Sequence, residues 1–357
     1  MNPDPSFHVP RSSFLAPFYY HPRMLAYDFG PQHPLRPERL LRTIETLESS
    51  GFEPKDPGEG NVEDVLRVHS EEYVHAIQGA EHLSGAERAQ FGVSSGDTPV
   101  FEGMYEASLA YTSGSAQAAL DVAGGAPLAI SLSGGLHHAQ KGHASGFCVF
   151  NDCAVAISIL KERFERVAYV DIDVHHGDGV QALFYDDPNV LTCSIHQDGR
   201  TLYPGTGFVE ETGVEFSSLN VPLMPGTTGD VWVWAFSQTI LPAIDRFKPQ
   251  AVVLQMGTDS HFLDPLARIN NTCQEWLQAV TAIRDLRLPT VALGGGGYNV
   301  DCVIRMWSSA CLTLVAEEVL EQFLDAGLPI PRESGRDHAE AVVDWLTENF
   351  LDRMSRL

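Results

Sequence analysis

Positive charge is scarce in this sequence. Its 357 residues include 23 lysines and arginines against 47 aspartates and glutamates, which gives a formal net charge of −24 at neutral pH. A surface this acidic repels the phosphates of nucleic acids and the headgroups of anionic lipids. We therefore expect no nucleic-acid partner and no attachment to membranes, whereas cationic groups such as lysine side chains or polyamines would be attracted.

Long apolar runs and paired cysteines are also missing. No segment approaches the roughly 18 consecutive apolar residues that a membrane-spanning helix needs. The opening residues 1–5 lack the charged and apolar regions of a secretory signal. The six cysteines are scattered without a C-x-x-C pair, and several lie within apolar runs. These features predict reduced, buried thiols and a cytoplasmic protein.

What the sequence does have is a regular alternation of two kinds of segment. Short apolar runs rich in β-branched residues recur at 128–132, 167–172, 190–195, 251–254 and 290–293. Longer segments with helical spacing lie around them, at 39–47, 105–122, 152–164, 231–247, 274–286 and 303–320. This alternation predicts an α/β protein with three αβα layers, in which helices flank both faces of a central, mostly parallel β-sheet.

The chain shows no obvious domain boundary. We find no internal repeat and no long Ser/Gly linker, so we expect a single domain over residues 1–357. Residues 51–60 are predicted to form a surface loop, 85–97 a polar connection, and about 338–356 a terminal amphipathic helix packed on the outside. In folds of this class ligands bind beyond the carboxyl ends of the strands, so candidate functional residues should follow the apolar runs.

Acidic residues follow two of the predicted strands. Asp171, Asp173 and His175 occupy alternate positions and would share one face of a strand. A turn explains the nearby Asp178, but two carboxylates buried on one face are costly unless a cation neutralises them. Asp259 ends a second run. The set of Asp173, His175 and Asp259 therefore predicts a catalytic divalent metal site with an open position, most plausibly for zinc.

The D-x-H spacing recurs at Asp259 and His261. We interpret His261 as an ordinary loop histidine beside Asp264, and not as a fourth metal ligand. Tandem histidines, His137 and His138, follow the first apolar run. With acidic partners at the same rim, they are better interpreted as proton-transfer groups than as core histidines.

Four glycines, 294–297, follow the last apolar run and precede Tyr298. The pattern matches neither a Walker loop nor a dinucleotide-binding loop. Two interpretations stay open. The segment is either a plain turn between strand and helix, or a flexible approach that brings the Tyr298 hydroxyl to a substrate carbonyl and its developing oxyanion.

Five motifs in order resemble the zinc-dependent histone deacetylase family. They are 134–148 (GGLHHAQKGHASGFC), 151–152 (ND), 171–179 (DIDVHHGDG), 203–207 (YPGTG) and 294–298 (GGGGY). The resemblance spans about 19–314 and is to the class I-like branch, while 259–266 is most similar to bacterial acetoin-utilisation deacetylases. It implies the arginase–deacetylase fold and zinc-dependent hydrolysis of the acyl amide of N-ε-acyl-lysine. In that reaction zinc and a histidine activate water, and a tyrosine stabilises the oxyanion.

The resemblance also implies a role for each matching residue. The matches to the zinc ligands are Asp173, His175 and Asp259. The matches to the catalytic groups are His138 as general base and later acid, its partner Asp178, the companion His137, its partner Asp171, and the carbonyl-polarising Tyr298.

Further matches fall around a substrate tunnel and two smaller sites. The tunnel positions are the aromatic walls Phe147 and Tyr203, the lining Gly146, the mouth residue Leu266 and the rim residue Asp97, which would hold substrate backbone. Arg39 matches the arginine of an internal acetate cavity. A structural potassium ion would fall on Asp171, Asp173, His175, Ser194 and Ile195.

Two departures from the family pattern bear on the substrate. Tyr203 stands where the second wall is usually phenylalanine, and its hydroxyl needs a partner that would narrow the tunnel or change the acyl preference. Leu266 stands where a polyamine-selective pocket would carry an acid, which counts against polyamines. We expect an acyl-lysine protein or peptide as substrate, for example an acyl-CoA synthetase.

Several alternatives remain open at this point. One is a hydrolase of acetylpolyamines or other small amides, which the strong negative charge favours. Another, from a different class, is a catalytically silent acyl-lysine-binding protein, which the complete set of matching residues disfavours. A manganese arginase would need more acidic ligands than these motifs supply. Fe²⁺ accepts ligands similar to those of Zn²⁺, so the residue types alone do not decide the metal.

Overall fold

A parallel β-sheet forms the centre of the structure, a computed structural model that describes residues 16–94, 96–332 and 334–354. Within these residues, six strands pair in the order β1-β6-β5-β2-β3-β4, and every pairing is parallel. The strands are β1 (Leu128–Ser131), β2 (Val167–Asp171), β3 (Val190–Gln197), β4 (Ser218–Leu223), β5 (Ala251–Gln255) and β6 (Thr290–Leu293).

Helices cover both faces of this sheet. In chain order they are α1 (Glu38–Ser49), α2 (Val62–Leu66), α3 (Glu71–Gln78), α4 (Gly85–Gln90), α5 (Met104–Ala123), α6 (Asp152–Lys161), α7 (Asp178–Phe184), α8 (Gly229–Phe247), α9 (Cys273–Asp285), α10 (Val300–Leu314), α11 (Arg336–Leu346) and α12 (Asp352–Met354). Among the residues described, no helix combines the length and the apolar character that crossing a bilayer requires.

The side chains of each strand alternate between two apolar cores. In β2, Ala168 and Val170 belong to one core, which also contains the indole rings of α8, α9 and α10. Val167 and Tyr169 belong to the other core, which packs against α5 and α6. The strands are therefore buried on both faces, and the predicted three-layer αβα fold is confirmed.

Four local predictions need correction. Strand β4 was not predicted, because its sequence includes Asn220 and Pro222 in place of an apolar run. It lies at the edge of the sheet, where a proline is tolerated. Helix α10 ends at Leu314 and not at 320. Ala316 adopts a left-handed φ of 61°, and two glutamates follow it, which are unfavourable at the negative end of a helix.

The polar connection predicted at 85–97 contains helix α4. Its signal was in the sequence, since Ser84 and Glu87 form a capping box at its first turn. The terminal helix predicted at about 338–356 begins earlier, at Arg336, and a π-helical turn over Thr347–Leu351 separates α11 from α12. Helix α11 contacts α8 and the edge strand β4, and residues 355–357 lie outside the described part of the chain.

Candidate active site

The candidate residues meet at the carboxyl ends of four neighbouring strands. The sheet order places β1, β6, β5 and β2 side by side. His137 and His138 follow β1, Tyr298 follows β6, and Asp259 follows β5. Because all four strands run in the same direction, residues far apart in sequence share one edge of the sheet.

Asp173, His175 and Asp259 form a buried cluster. One ligand atom from each lies within 4.8 Å of the others. The Nδ1 atom of His175 is 3.1 Å from Asp173 Oδ1 and 3.0 Å from Asp259 Oδ2. Strand β2 ends at Asp171, so the residues after it do not continue the alternation that the sequence suggested. Asp173 and His175 instead reach the cluster from irregular backbone beyond the strand.

The remaining oxygens of the two carboxylates are held by the protein. Asp173 Oδ2 accepts hydrogen bonds from Gln255 Nε2 at 2.8 Å and from the Gly296 amide at 2.7 Å. Asp259 Oδ1 accepts one from the Val174 amide at 2.9 Å. Each carboxylate therefore turns its other oxygen toward His175. Partners of this kind orient the ligands of metal sites.

The electrostatics of this cluster suit a cation. Burial and the adjacent charge of Asp173 raise the pKa of Asp259. Burial alone would lower the pKa of His175, but its hydrogen bonds with the two carboxylates raise it to about 10. The cluster therefore attracts positive charge strongly. Two carboxylates and one imidazole also match the donor set of a catalytic zinc site that keeps a position open, so these residues fit that metal.

The tandem histidines are each paired with a carboxylate. His137 Nδ1 lies 2.7 Å from Asp171 Oδ2, and His138 Nδ1 lies 2.6 Å from Asp178 Oδ1. The Nε2 atoms of the two rings are 3.0 Å apart. Gln140 donates a further hydrogen bond to Asp178 at 2.9 Å. The two predicted pairings are thus present, and they hold both rings side by side next to the acidic cluster.

The two histidines hold protons very differently. Burial alone would lower the pKa of His137, but the charges of Asp171 and Asp173 raise it to about 9. Burial and the neighbouring charge of His137 lower the pKa of His138 to about 4, against the opposite effect of Asp178. These shifts favour the protonated form of His137 and the neutral form of His138. A neutral imidazole beside a polar cluster can accept a proton.

Aromatic side chains line the way to this cluster. A pocket beside the cluster has His138, Gly146, Phe147, Asp173 and Tyr298 in its wall. The rings of Phe147 and Tyr298 meet edge to face at 5.8 Å. Burial and the nearby carboxylates raise the pKa of Tyr298 well above its usual value, so this hydroxyl keeps its proton.

The loop that carries Phe147 is held from behind by tyrosines. Phe147 has a left-handed φ of 66°, which is rare for a bulky residue. Its carbonyl accepts a hydrogen bond from the Tyr27 hydroxyl at 2.7 Å, and its amide donates to Thr98 Oγ1 at 3.1 Å. The hydroxyls of Tyr73 and Tyr111 donate to the carbonyls of Val149 and Phe150. These contacts fix the Phe147 ring in the pocket wall.

The second aromatic wall residue is close to the same pocket. The Tyr203 ring lies 5.1 Å from the His138 ring, edge to face. Its hydroxyl forms a hydrogen bond with Ser145 Oγ, so Ser145 is the partner that we expected this hydroxyl to need. A methyl group on Gly146 would meet both rings, so only glycine fits between them.

The two residues predicted at the mouth and rim of the tunnel, Asp97 and Leu266, are both exposed. Asp97 is exposed, and its Oδ2 accepts a hydrogen bond from the Gly146 amide at 2.8 Å. Leu266 lies on the surface with 37% of its area exposed. It is linked to the site through Asp264, which accepts a hydrogen bond from the Leu266 amide.

Arg39 lies behind the pocket. Its Nη1 donates to the carbonyl of Gly297 at 2.9 Å, and its guanidinium lies 5.1 Å from the centre of the Trp307 ring. It lines both the pocket and a second cavity, whose wall also includes Tyr111 and Trp307. An acetate cavity at Arg39 stays a prediction.

The predicted potassium ligands include Asp173 and His175 of the cluster, and the other three lie on β2 and β3. Asp171 and Ser194 are paired in register on β2 and β3, and Ile195 is next in β3. The Ser194 hydroxyl is 2.8 Å from His196 Nδ1. Potassium binding at this place stays a prediction.

Two buried residues near the site were not predicted to contribute. Gln255 orients Asp173, and Asp264 accepts a hydrogen bond from the Tyr298 amide at 2.7 Å. His261 was expected to be an ordinary loop residue outside the metal site. It does lie outside the cluster, but it is fully buried and pairs with Asp325 at 3.0 Å. The sequence carried a signal for these residues in the polar side chains at the end of β5 and beyond it.

Comparison with known proteins agrees with this geometry. Residues 33–314 match the protein family described as "Histone deacetylase domain". The chain belongs to the histone deacetylase family. It is therefore similar to hydrolases that cleave amide bonds, and the resemblance stated from its motifs is confirmed.

Individual relatives point to more than one branch of this family. "Acetoin utilization protein AcuC" of Bacillus subtilis (strain 168) is 36% identical over 333 residues, which cover 88% of this chain and 84% of that protein. "Histone deacetylase clr6" of Schizosaccharomyces pombe is 36% identical over 323 residues, covering 87% and 78%. A solved structure of acetylpolyamine aminohydrolase from Burkholderia pseudomallei superposes with a TM-score of 0.77 at 27% identity, covering 84% of this chain and 99% of that one.

Proposed function

We propose that this hydrolase removes acyl groups from the ε-amino group of lysine side chains and that it depends on zinc. The observation that carries the proposal is the position of two adjacent histidines, each hydrogen-bonded to a carboxylate, beside a buried Asp-His-Asp cluster. The pKa of His137 is raised to about 9 and that of His138 is lowered to about 4. In such a pair one histidine, His138, can accept a proton, while the other, His137, stays charged.

The metal would be held by Asp173, His175 and Asp259. When bound there, zinc would supply a Lewis acid for the amide carbonyl and would lower the pKa of water. The two carboxylates offset the charge of the ion and so weaken it as a Lewis acid. The reaction therefore also needs side chains of the protein for proton transfer and for oxyanion stabilisation.

His138 is the general base in this proposal. Its ring is neutral at neutral pH, and Asp178 fixes its orientation through Nδ1. It takes a proton from water as the water oxygen forms a bond with the carbonyl carbon. His137 stays charged beside it and stabilises the developing negative charge. When the bond between carbon and nitrogen breaks, the proton held by His138 passes to the lysine nitrogen, and the products are a carboxylic acid and a free amine, which exchange a proton to become a carboxylate and an ammonium group.

Tyr298 donates the hydrogen bond that the carbonyl oxygen needs. Its hydroxyl stays protonated because burial and the nearby carboxylates raise its pKa. A donor that strengthens its bond as charge develops lowers the barrier more than it tightens substrate binding.

The shape of the pocket favours a flexible aliphatic chain. Phe147, His138 and Tyr203 surround a narrow passage with aromatic edges, and Gly146 leaves room between them. The four methylene groups of a lysine side chain fit such a passage and keep the reactive amide at its inner end. An acylated protein, such as an acyl-CoA synthetase, would present this chain from its surface.

An acetylated polyamine is the second candidate substrate. The likeness to an acetylpolyamine aminohydrolase and the net charge of −24 favour it. Leu266 at the surface near the site does not, because an apolar side chain cannot recognise a distal ammonium group.

Paired assays separate these readings. The purified protein would be stripped of metal, reloaded with Zn²⁺ or Fe²⁺, and tested on acetyl-lysine peptides beside acetylputrescine and acetylspermidine. We expect the peptides to have the higher kcat/KM with Zn²⁺. A higher value for the polyamines would reject the lysine proposal, and tight peptide binding without any turnover would indicate a silent binding protein.

A further inference from the structure

The backbone conformation of the glycine loop before Tyr298, residues 294–297, is fixed by contacts with other parts of the protein. Gly295 and Gly297 have φ values of 146° and 137°, which only glycine adopts readily. The loop has no side chains up to Tyr298, so its path is decided by what its backbone contacts. Asp173 Oδ2 holds the Gly296 amide at 2.7 Å, and Arg39 Nη1 holds the Gly297 carbonyl at 2.9 Å. These contacts reach the residues before Tyr298 but not Tyr298 itself.

The backbone of Tyr298 is held by Asp264. Asp264 Oδ2 accepts a hydrogen bond from the Tyr298 amide at 2.7 Å, and its Oδ1 accepts one from the Leu266 amide at 3.0 Å. Only 7% of Asp264 is exposed. Both carboxylate oxygens are therefore committed to backbone amides on two different segments. Hydrogen bonds from amides to a buried carboxylate are among the stronger ones in proteins.

The segment that carries Asp264 is itself anchored in the core. The Asp264 amide donates to the carbonyl of His261 at 2.8 Å. The ring of His261 pairs with Asp325 at 3.0 Å, and Asp325 also accepts hydrogen bonds at 2.6 Å from the Cys273 amide and from Arg305. A buried chain of polar contacts thus connects helices α9 and α10 to Asp264, and Asp264 to Tyr298.

We propose that Asp264 is the positioning residue for the Tyr298 hydroxyl. It fixes the amide of Tyr298, and through the backbone it fixes where the phenol ring enters the pocket. The inference rests on the proposed function, in which that hydroxyl stabilises the oxyanion. A hydrogen-bond donor works in catalysis only when it is held at the place where charge develops, and a displacement of about 1 Å can reduce the rate on the order of 100-fold.

A double-mutant cycle tests the proposal on the zinc-loaded enzyme with an acetyl-lysine peptide. Asp264→Ala removes both acceptor oxygens, and we expect kcat to fall roughly 10- to 100-fold while KM stays within about 3-fold. Tyr298→Phe removes the hydroxyl and should reduce kcat by about 100- to 1000-fold. The double variant should lie within about 3-fold of Tyr298→Phe alone, since Asp264 acts through that hydroxyl.

Two further variants complete the design. Asp264→Asn keeps one acceptor oxygen but points its amide group at the other backbone N–H, so its kcat should lie between wild type and Asp264→Ala. Asp301→Ala removes an exposed carboxylate three residues beyond Tyr298, which pairs with Arg42 on the surface. This control should retain wild-type kcat. Bound zinc and the melting temperature would be measured for every variant.

The outcomes separate the inference from the function beneath it. Full kcat in Asp264→Ala would overturn the inference. An equal loss from Asp264→Ala in the wild-type and Tyr298→Phe backgrounds would also overturn it, because a general structural defect acts in both. If Asp264→Ala does not fold, the same cycle with Asp264→Asn decides by the same criterion. Full activity in Tyr298→Phe would instead reject the role of the tyrosine in the proposed function.

Discussion

Adding one methyl group at Gly146 should close the passage to the acidic cluster. A Cβ at this position would lie 2.3 Å from Cδ2 of His138 and 2.9 Å from Cε1 of Tyr203. Atoms that are not bonded do not approach this closely, so the His138 ring, the Tyr203 ring or the loop must move. The residue also has a left-handed φ of 51°, which alanine adopts with strain.

The magnitude follows from these two effects. The left-handed backbone costs alanine about 1 to 2 kcal/mol, and overpacking in a filled site costs about 1 to 3 kcal/mol more. Gly327→Ala provides a matched control, because Gly327 has a φ of 76° but has open space where the Cβ would lie. The control should therefore show the backbone effect alone. The difference between the two variants isolates the collision in the passage.

Chemical denaturation and peptide hydrolysis would measure the result. We expect Gly146→Ala to lose about 1 to 3 kcal/mol more unfolding free energy than Gly327→Ala. We also expect its kcat/KM to drop on the order of 10-fold or more, since His138 is displaced. The control should keep wild-type kcat/KM. Equal stability loss in both variants, together with normal turnover in Gly146→Ala, would refute the description of the passage.

Three further changes test other parts of the site and its support. Asp178→Asn removes the charged partner of His138, so kcat should fall on the order of 100-fold at unchanged zinc content, and a normal kcat would contradict the pairing. Tyr203→Phe removes the hydrogen bond to Ser145 and should lower the free energy of unfolding by about 1 kcal/mol or less. It should raise the rate of hydrolysis of butyryl-lysine relative to acetyl-lysine. An unchanged ratio of these two rates would contradict the idea that the Tyr203 hydroxyl narrows the tunnel. Asp325→Asn should destabilise the protein at pH 7. Burial raises the pKa of Asp325, but its hydrogen bonds outweigh this and lower it to about 2. Its stabilising effect is therefore present above about pH 4 and lost as the pH falls toward 2, so the stability difference from wild type should shrink over that range. A difference that stayed constant would contradict this.

The layers of the fold could be predicted because buried parallel strands have a plain signature. Residues 167–170 and 251–254 are apolar and bounded by polar residues, and β2 and β5 lie there. Strand β4 gave no such signal, since Pro222 and its neighbours are tolerated only at the edge of the sheet. The order of the strands was not predicted, because pairing between distant segments is not written in local periodicity.

The site was predictable where side chains carry the chemistry. Aspartates and histidines that follow apolar runs mark the cluster, and the family motifs name their partners. Asp264 escaped notice because its contact is with the backbone amide of Tyr298, 34 positions away. No residue type at position 298 reveals that its amide needs an acceptor. Contacts of this kind become visible only when the loop after β5 and the loop after β6 are seen side by side.

The most direct test of the account is the metal content of the protein. Elemental analysis of protein purified without chelators should find about one zinc per chain, and dialysis against a chelator should abolish cleavage of an acetyl-lysine peptide. About one equivalent of Zn²⁺ should restore it, while Asp259→Asn should bind zinc more weakly. Protein that contains no transition metal and still cleaves the amide in the presence of a chelator would contradict the central claim.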